Sequence, residues 1–149
     1  MTNAPCAHPR NRPQQAAYRA GLAFTRANVG YVHAVAHALG GRYGIAHGAC
    51  CAVAMPAVLR AYGEKAHVAL AALADAAGVT QGSASAQQTS NKAEALIRAI
   101  ESLNRKLGLP ETFAQIRAED IPTLAAQAAA EGNLFYPAPK ILSEAELAD

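Results

Sequence analysis

Gly30-Tyr31-Val32-His33-Ala34-Val35-Ala36-His37-Ala38-Leu39-Gly40-Gly41 contains no Asp, Glu, Lys or Arg. A helix without a charged face has no side to turn to water, so Tyr31 to Leu39 reads as a helix buried on nearly all sides. Gly30 interrupts the chain before it, and Gly40 with Gly41 is its expected stop. Such a helix needs other helices to cover it, and the rest of the chain supplies them. The fold class that follows is all-α, a bundle of about six to eight helices around Tyr31 to Leu39.

Downstream, Gly44 to Gly48 reads as a short connection and Ala49 to Ala61 as a second apolar helix, kinked at Pro56, where one backbone donor is missing. Glu64 to Ala77 places Val68, Leu70, Leu73 and Ala77 on one face and stops at Gly78. The Ser/Gln/Ala-rich stretch 81–90 reads as an exposed, mobile loop. Asn91 with Glu94 then makes an N-cap for a helix through Leu96, Ile97, Ile100, Leu103 and Leu107, ended by Gly108 and Pro110. Thr112 to Ile116 suggests a helical turn. Ile121 to Ala130 is an Ala-rich helix with Pro122 in its first turn and Gly132 as its stop, and Ser143 with Glu146 is a capping box for a short last helix. Upstream, a helix is expected from Gln14 to Asn28 behind Pro13. The polar residues 1–12 read as a disordered leader, leaving 13–149 as one helical domain.

Composition agrees with this. Hydrophobic residues make up 52% of 149 residues, aromatics 5%, and Trp is absent. Small side chains let helices approach closely and favour helix over strand. A net charge of +2 without a basic run offers no footprint for nucleic acid. No apolar stretch reaches the ~18 residues of a membrane span, and the first residues lack a secretory core. Cys6, Cys50 and Cys51 are an odd number, two of them sequence neighbours, so no disulfide framework is implied and a cytoplasmic setting fits. The two neighbours stand just past His47, where they could offer thiolates, but read as small buried hydrophobes.

The chemistry-bearing feature is the grouping of His33, His37 and His47 within fifteen residues. His33 and His37 share a helix face, and His47 stands where the next helix begins and can fold back toward them. Converging neutral imidazoles suit a first-row divalent metal. On spacing alone, two histidines one turn apart on an apolar helix are equally what satisfied core histidines look like, each bonded to a backbone carbonyl.

The stretch from Gly30 to Gly48, an HxxxH helix followed ten residues later by His47-Gly48, resembles the signature of the iron-containing alcohol dehydrogenase family. The resemblance extends upstream to Ala20-Gly21-Leu22-Ala23-Phe24. Downstream it takes in Glu119-Asp120-Ile121-Pro122 and Asn133-Leu134-Phe135-Tyr136-Pro137. It implies the family's C-terminal helical, metal-binding domain. His33 and His47 would be metal ligands, and His37 would line the nicotinamide and substrate pocket as the catalytic candidate. The implied cofactor is iron, or zinc as in the glycerol dehydrogenase and dehydroquinate synthase relatives; the Ala46-His47-Gly48 and Tyr136-Pro137 contexts favour the iron group.

The family's other two ligands, an aspartate and a histidine four residues later, have no counterpart: no aspartate stands four residues before His8. No glycine-rich strand-to-helix turn marks a dinucleotide site either, so no cofactor-binding residue is assigned and NAD(P) is expected only if a nucleotide-binding half is supplied. The expectation is a fragment of an iron-dependent, NAD(P)-linked alcohol dehydrogenase acting on small alcohols or aldehydes. It should be inactive alone and should pair with that half or with itself. The alternative is a non-enzymatic helical relic or interaction module.

Overall fold

The computed structural model describes residues 11–82 and 85–149, and the described residues form seven α-helices and one 3₁₀ turn, with no strand among them. These are α1 (Asn11–Ala27), α2 (Tyr31–Tyr43), α3 (His47–Tyr62), α4 (Glu64–Ala76), α5 (Ala86–Lys106), α6 (Ile121–Phe135) and α7 (Glu144–Ala148), with the 3₁₀ turn at Ala118–Asp120. The all-α expectation holds. The leader read over residues 1–12 lies, up to residue 10, outside the described residues, as does His8.

Helix α2 is the centre. It packs against α3 on one side and α6 on the other, while α4 and α5 form a hairpin attached through α3. Tyr31, Ala34, Ala36 and Ala38 are buried along it. The core continues through Val58 and Tyr62 of α3, Ala66 and Leu70 of α4, Ala93 and Ile97 of α5, Ala128 of α6 and Leu142. Many of these are alanines, and the packing depends on close backbone approach rather than on bulk.

Several boundaries differ from the expected ones. Helix α2 runs through Gly40-Gly41 to Tyr43. The left-handed stop falls at Gly44, whose φ is 66° and whose N–H bonds the Gly40 carbonyl at 2.9 Å. Gly40 serves close approach instead, since a Cβ there would stand 3.4 Å from the returning Ile45 carbonyl. Helix α5 begins before Asn91: Ser85 caps it, accepting from Gln88 N–H while Gln88 Oε1 accepts from Ser85 N–H. The stretch read as a loop over 81–90 is therefore half helix, with residues 83 and 84 outside the described ones. Helix α6 passes through Gly132 to Phe135, and the turn read at Thr112 to Ile116 is non-helical.

The kink residue is accommodated. Pro56 is buried inside α3 and cannot donate to the Ala52 carbonyl one turn back. Asn104 Nδ2 of α5 donates to that oxygen at 2.7 Å. The α2–α6 junction is held by Asp120, which accepts from Tyr43 Oη (2.7 Å), Arg42 Nη2 (2.8 Å) and Arg117 Nη2 (2.8 Å). These three donors keep its carboxyl well below the usual carboxylate range, the Tyr43 hydroxyl foremost.

Candidate metal centre

Ala46 carries no capping side chain, and α3 starts directly at His47. The Gly44–Ala46 turn reverses the chain, so the first residue of α3 faces the outer half of α2. The consequence is convergence of all three sequence-predicted histidines. Ring centroids are 5.4 Å apart for His33 and His47, 5.2 Å for His37 and His47, and 6.1 Å for His33 and His37. His33 is half-buried while His37 and His47 are exposed, so α2 is not buried all round: it opens to solvent along its histidine face.

His33 and His47 have company that the sequence reading did not assign. Cys51, one turn beyond His47 on α3, places Sγ 3.5 Å from His47 Nε2. Among the described residues these three form the one group of potential ligands, with one ligand atom from each lying within 4.8 Å of the others. Cys50 behaves as expected: it is fully buried, and its thiol points to the Ile45 carbonyl at 3.8 Å. The two neighbours thus part ways, one into the core and one into the histidine cluster.

Burial pushes the His33 imidazole below its ordinary value, and the neighbouring His47 and His37 add to the effect, so the ring is neutral and able to coordinate. Burial also pushes the Cys51 thiol up, with Cys50 contributing.

His37 is arranged differently. Its Nδ1 lies 2.8 Å from Glu131 Oε1 of α6, and Tyr136 Oη donates to the same oxygen. Burial acts to raise Glu131, but the Tyr136 hydroxyl and His37 outweigh it and leave the carboxyl below its ordinary value. An ionised carboxylate only accepts, so Nδ1 carries the proton and Nε2 is the free nitrogen, on a ring stacked at 23° to that of His47. His37 also fronts an open cleft of about 410 Å³ whose walls include Ala38, Gly41, Asp120, Thr123 and Gln127. Glu131 and Tyr136 were not assigned to the site from the sequence because they lie about a hundred residues from His37, beyond any local pattern.

Two imidazoles and a thiol this close are a donor set suited to a divalent first-row metal. Among the described residues no helix is long and apolar enough to cross a membrane.

The family described as Fe-containing alcohol dehydrogenase family, C-terminal, matches residues 4–149. The chain is 37% identical over 136 residues to 1,3-propanediol dehydrogenase of Citrobacter freundii, covering 87% of this chain and 33% of that protein. It is 38% identical over 117 residues to alcohol dehydrogenase 4 of Saccharomyces cerevisiae, covering 76% and 28%. Among solved structures, a 1,3-propanediol oxidoreductase superposes with a TM-score of 0.77 at 37% identity, covering 87% of this chain and 33% of that one. An alcohol dehydrogenase from Oenococcus oeni superposes with 0.70 at 34%, with the same coverage. The chain spans about a third of the length of these relatives.

Proposed function

This chain belongs to the Fe-containing alcohol dehydrogenase family, and from that premise we propose that it is the metal-bearing helical part of an NAD(P)-linked enzyme interconverting small alcohols and aldehydes. The observation that carries the reading is the convergence of His33 and His37, from the first half of α2, with His47 at the start of α3. His33 and His47 would hold the metal, iron by the family's habit or zinc, with no cofactor-binding residue for NAD(P) among those described. When bound, the metal supplies Lewis acidity toward a substrate oxygen, and a nicotinamide ring supplies or takes up the hydride.

The chain's own residues position and orient. His33 is presented by a helix whose next residue, Ala34, is fully buried, which limits its movement. Glu131 holds the His37 ring through Nδ1, leaving Nε2 as its remaining hydrogen-bonding nitrogen. The cleft beside His37 admits a short-chain molecule. The nicotinamide must be held by residues beyond these, because positioning accounts for much of hydride-transfer rate and no phosphate-cradling turn is present among the described residues. We read the chain as inactive by itself and as a partner for a nucleotide-binding half or a second copy, in a cytoplasmic setting that keeps Cys50 and Cys51 reduced.

The test is complementation. The purified chain is mixed with iron, NAD, short diols and the separately produced nucleotide-binding part of the Citrobacter freundii 1,3-propanediol dehydrogenase, and NADH formation is followed. Turnover is expected only in the mixture and is lost with His33→Ala. Turnover by the chain alone would overturn the fragment reading. A second reading, a helical interaction module, is favoured by the exposed apolar residues Tyr18, Leu22 and Phe24 of α1. It would gain if metal binds and no mixture turns over.

A further inference from the structure

We propose that Cys51 is a third protein ligand, so that His33, His47 and Cys51 form a self-contained two-histidine, one-cysteine site for a borderline divalent ion of the zinc type. This rests on the reading that His33 and His47 hold a metal and goes beyond it by naming the thiolate and the metal class that follows from it.

The geometry is that of a site before its ion arrives. Zinc bonds sulfur at about 2.3 Å and imidazole nitrogen at about 2.0–2.1 Å, so in a tetrahedron a sulfur and a nitrogen ligand stand about 3.5 Å apart. The Cys51 Sγ to His47 Nε2 separation is 3.5 Å. One ligand atom of His33 lies within 4.8 Å of both, so it needs to close by about 1 Å, within reach of a side-chain torsion. His47 and Cys51 are four residues apart on α3 and therefore share a face. The third ligand, His33, comes across the α2–α3 contact from the first turn of α2. Three protein ligands with one position left open is the pattern of catalytic rather than structural zinc.

The chemistry balances without a redox partner. The incoming ion replaces the thiol proton, which leaves to solvent, and both imidazoles coordinate as neutral rings. One thiolate leaves the site at a net charge of +1 and makes it softer, which favours zinc or cobalt over iron(II). Cys50 is an internal control, since its sulfur is fully buried against Ile45.

The experiment uses the full chain and cobalt(II) alone as the probe, with bound metal measured by equilibrium dialysis and the site read by absorption. Wild type and Cys50→Ser are expected to show a sulfur-to-cobalt charge-transfer band in the near ultraviolet and tetrahedral absorption in the visible. Cys51→Ser should lose the charge-transfer band and bind on the order of tenfold or more weakly. Unbuffered titration should release about one proton per cobalt in wild type and none in Cys51→Ser. Circular dichroism of each variant identifies any loss of fold; should Cys51→Ser unfold, the wild-type spectrum and proton count decide. Cobalt bound by wild type without the thiolate band, and lost in His33→Ala, would overturn the role of Cys51 and leave the two-histidine reading standing. A band that survives Cys51→Ser would also overturn it. No cobalt binding by wild type would overturn both readings.

Discussion

Gly132 is the glycine with the least room for a side chain. A Cβ there would sit 2.6 Å from Tyr31 Cδ1 and closer still to Cε1, and Tyr31 has no room to yield because it is fully buried. Its hydroxyl donates to Asn133 Oδ1 and accepts the Leu142 N–H at 3.1 Å. Gly132→Ala is expected to cost about 1–3 kcal/mol by overpacking, read as a lower urea midpoint. Glu131, next door, allows a sharper test of the site. Its carboxylate pushes the Tyr136 phenol up to about 12, with burial adding to the shift. In Glu131→Gln the phenol should titrate nearer the ordinary value of about 10, visible as phenolate absorbance appearing at lower pH. An unchanged titration would remove the Tyr136–Glu131–His37 chain and with it the argument for the His37 tautomer.

At the level of helices, the pairing of Pro56 with Asn104 is the clearest case of two elements solving one problem. Asn104→Leu would leave the half-buried Ala52 carbonyl without its donor and should cost about 1 kcal/mol. In the Pro56→Ala background the new N–H can take over that carbonyl, so the same substitution should cost less, and a double-mutant cycle would measure the coupling. The same element shows what the sequence could and could not tell. The apolar runs of α2 and α3, the proline inside α3 and the Ser143–Glu146 cap were legible because each leaves a local signature. The start of α3 left none, since Ala46 caps nothing. With the helix read from Ala49, His47 and Cys51 were never placed on one face. The first turns of α5 were hidden because Gln87, Gln88, Thr89 and Ser90 show no apolar period, although Ser85 and Gln88 have the spacing of a capping box. His33 and His47 were assigned through their pattern, whereas Glu131 reaches His37 only through tertiary packing.

Over the whole molecule, acid should loosen the α2–α6 junction. The folded pKa of Asp120 lies below its unfolded value of about 3.9, so its contribution is complete above that pH and is lost as pH falls through the folded value. The stability gap between wild type and Asp120→Asn should be full at neutral pH and should shrink below pH ~4 in urea titrations. The surface makes a second prediction. Leu134 and Phe135 at the end of α6 are 77% and 70% exposed, and α1, with its own apolar residues uncovered, makes no substantial contact with another helix. Light scattering is expected to show mass above the monomer, reduced in Leu134→Gln/Phe135→Gln; a compact monomer at high concentration would refute this.

The bond from the Leu142 amide to the Tyr31 hydroxyl joins residues 111 positions apart. A ribosome adding about 5–20 residues per second needs roughly 5–20 s to cover that distance. For most of that interval, from the synthesis of Tyr62 onward, the nascent chain has made both histidine-bearing helices but lacks the segment that seals Tyr31. Until Leu142 arrives, α2 carries its histidines over a core that Tyr31 has not yet closed.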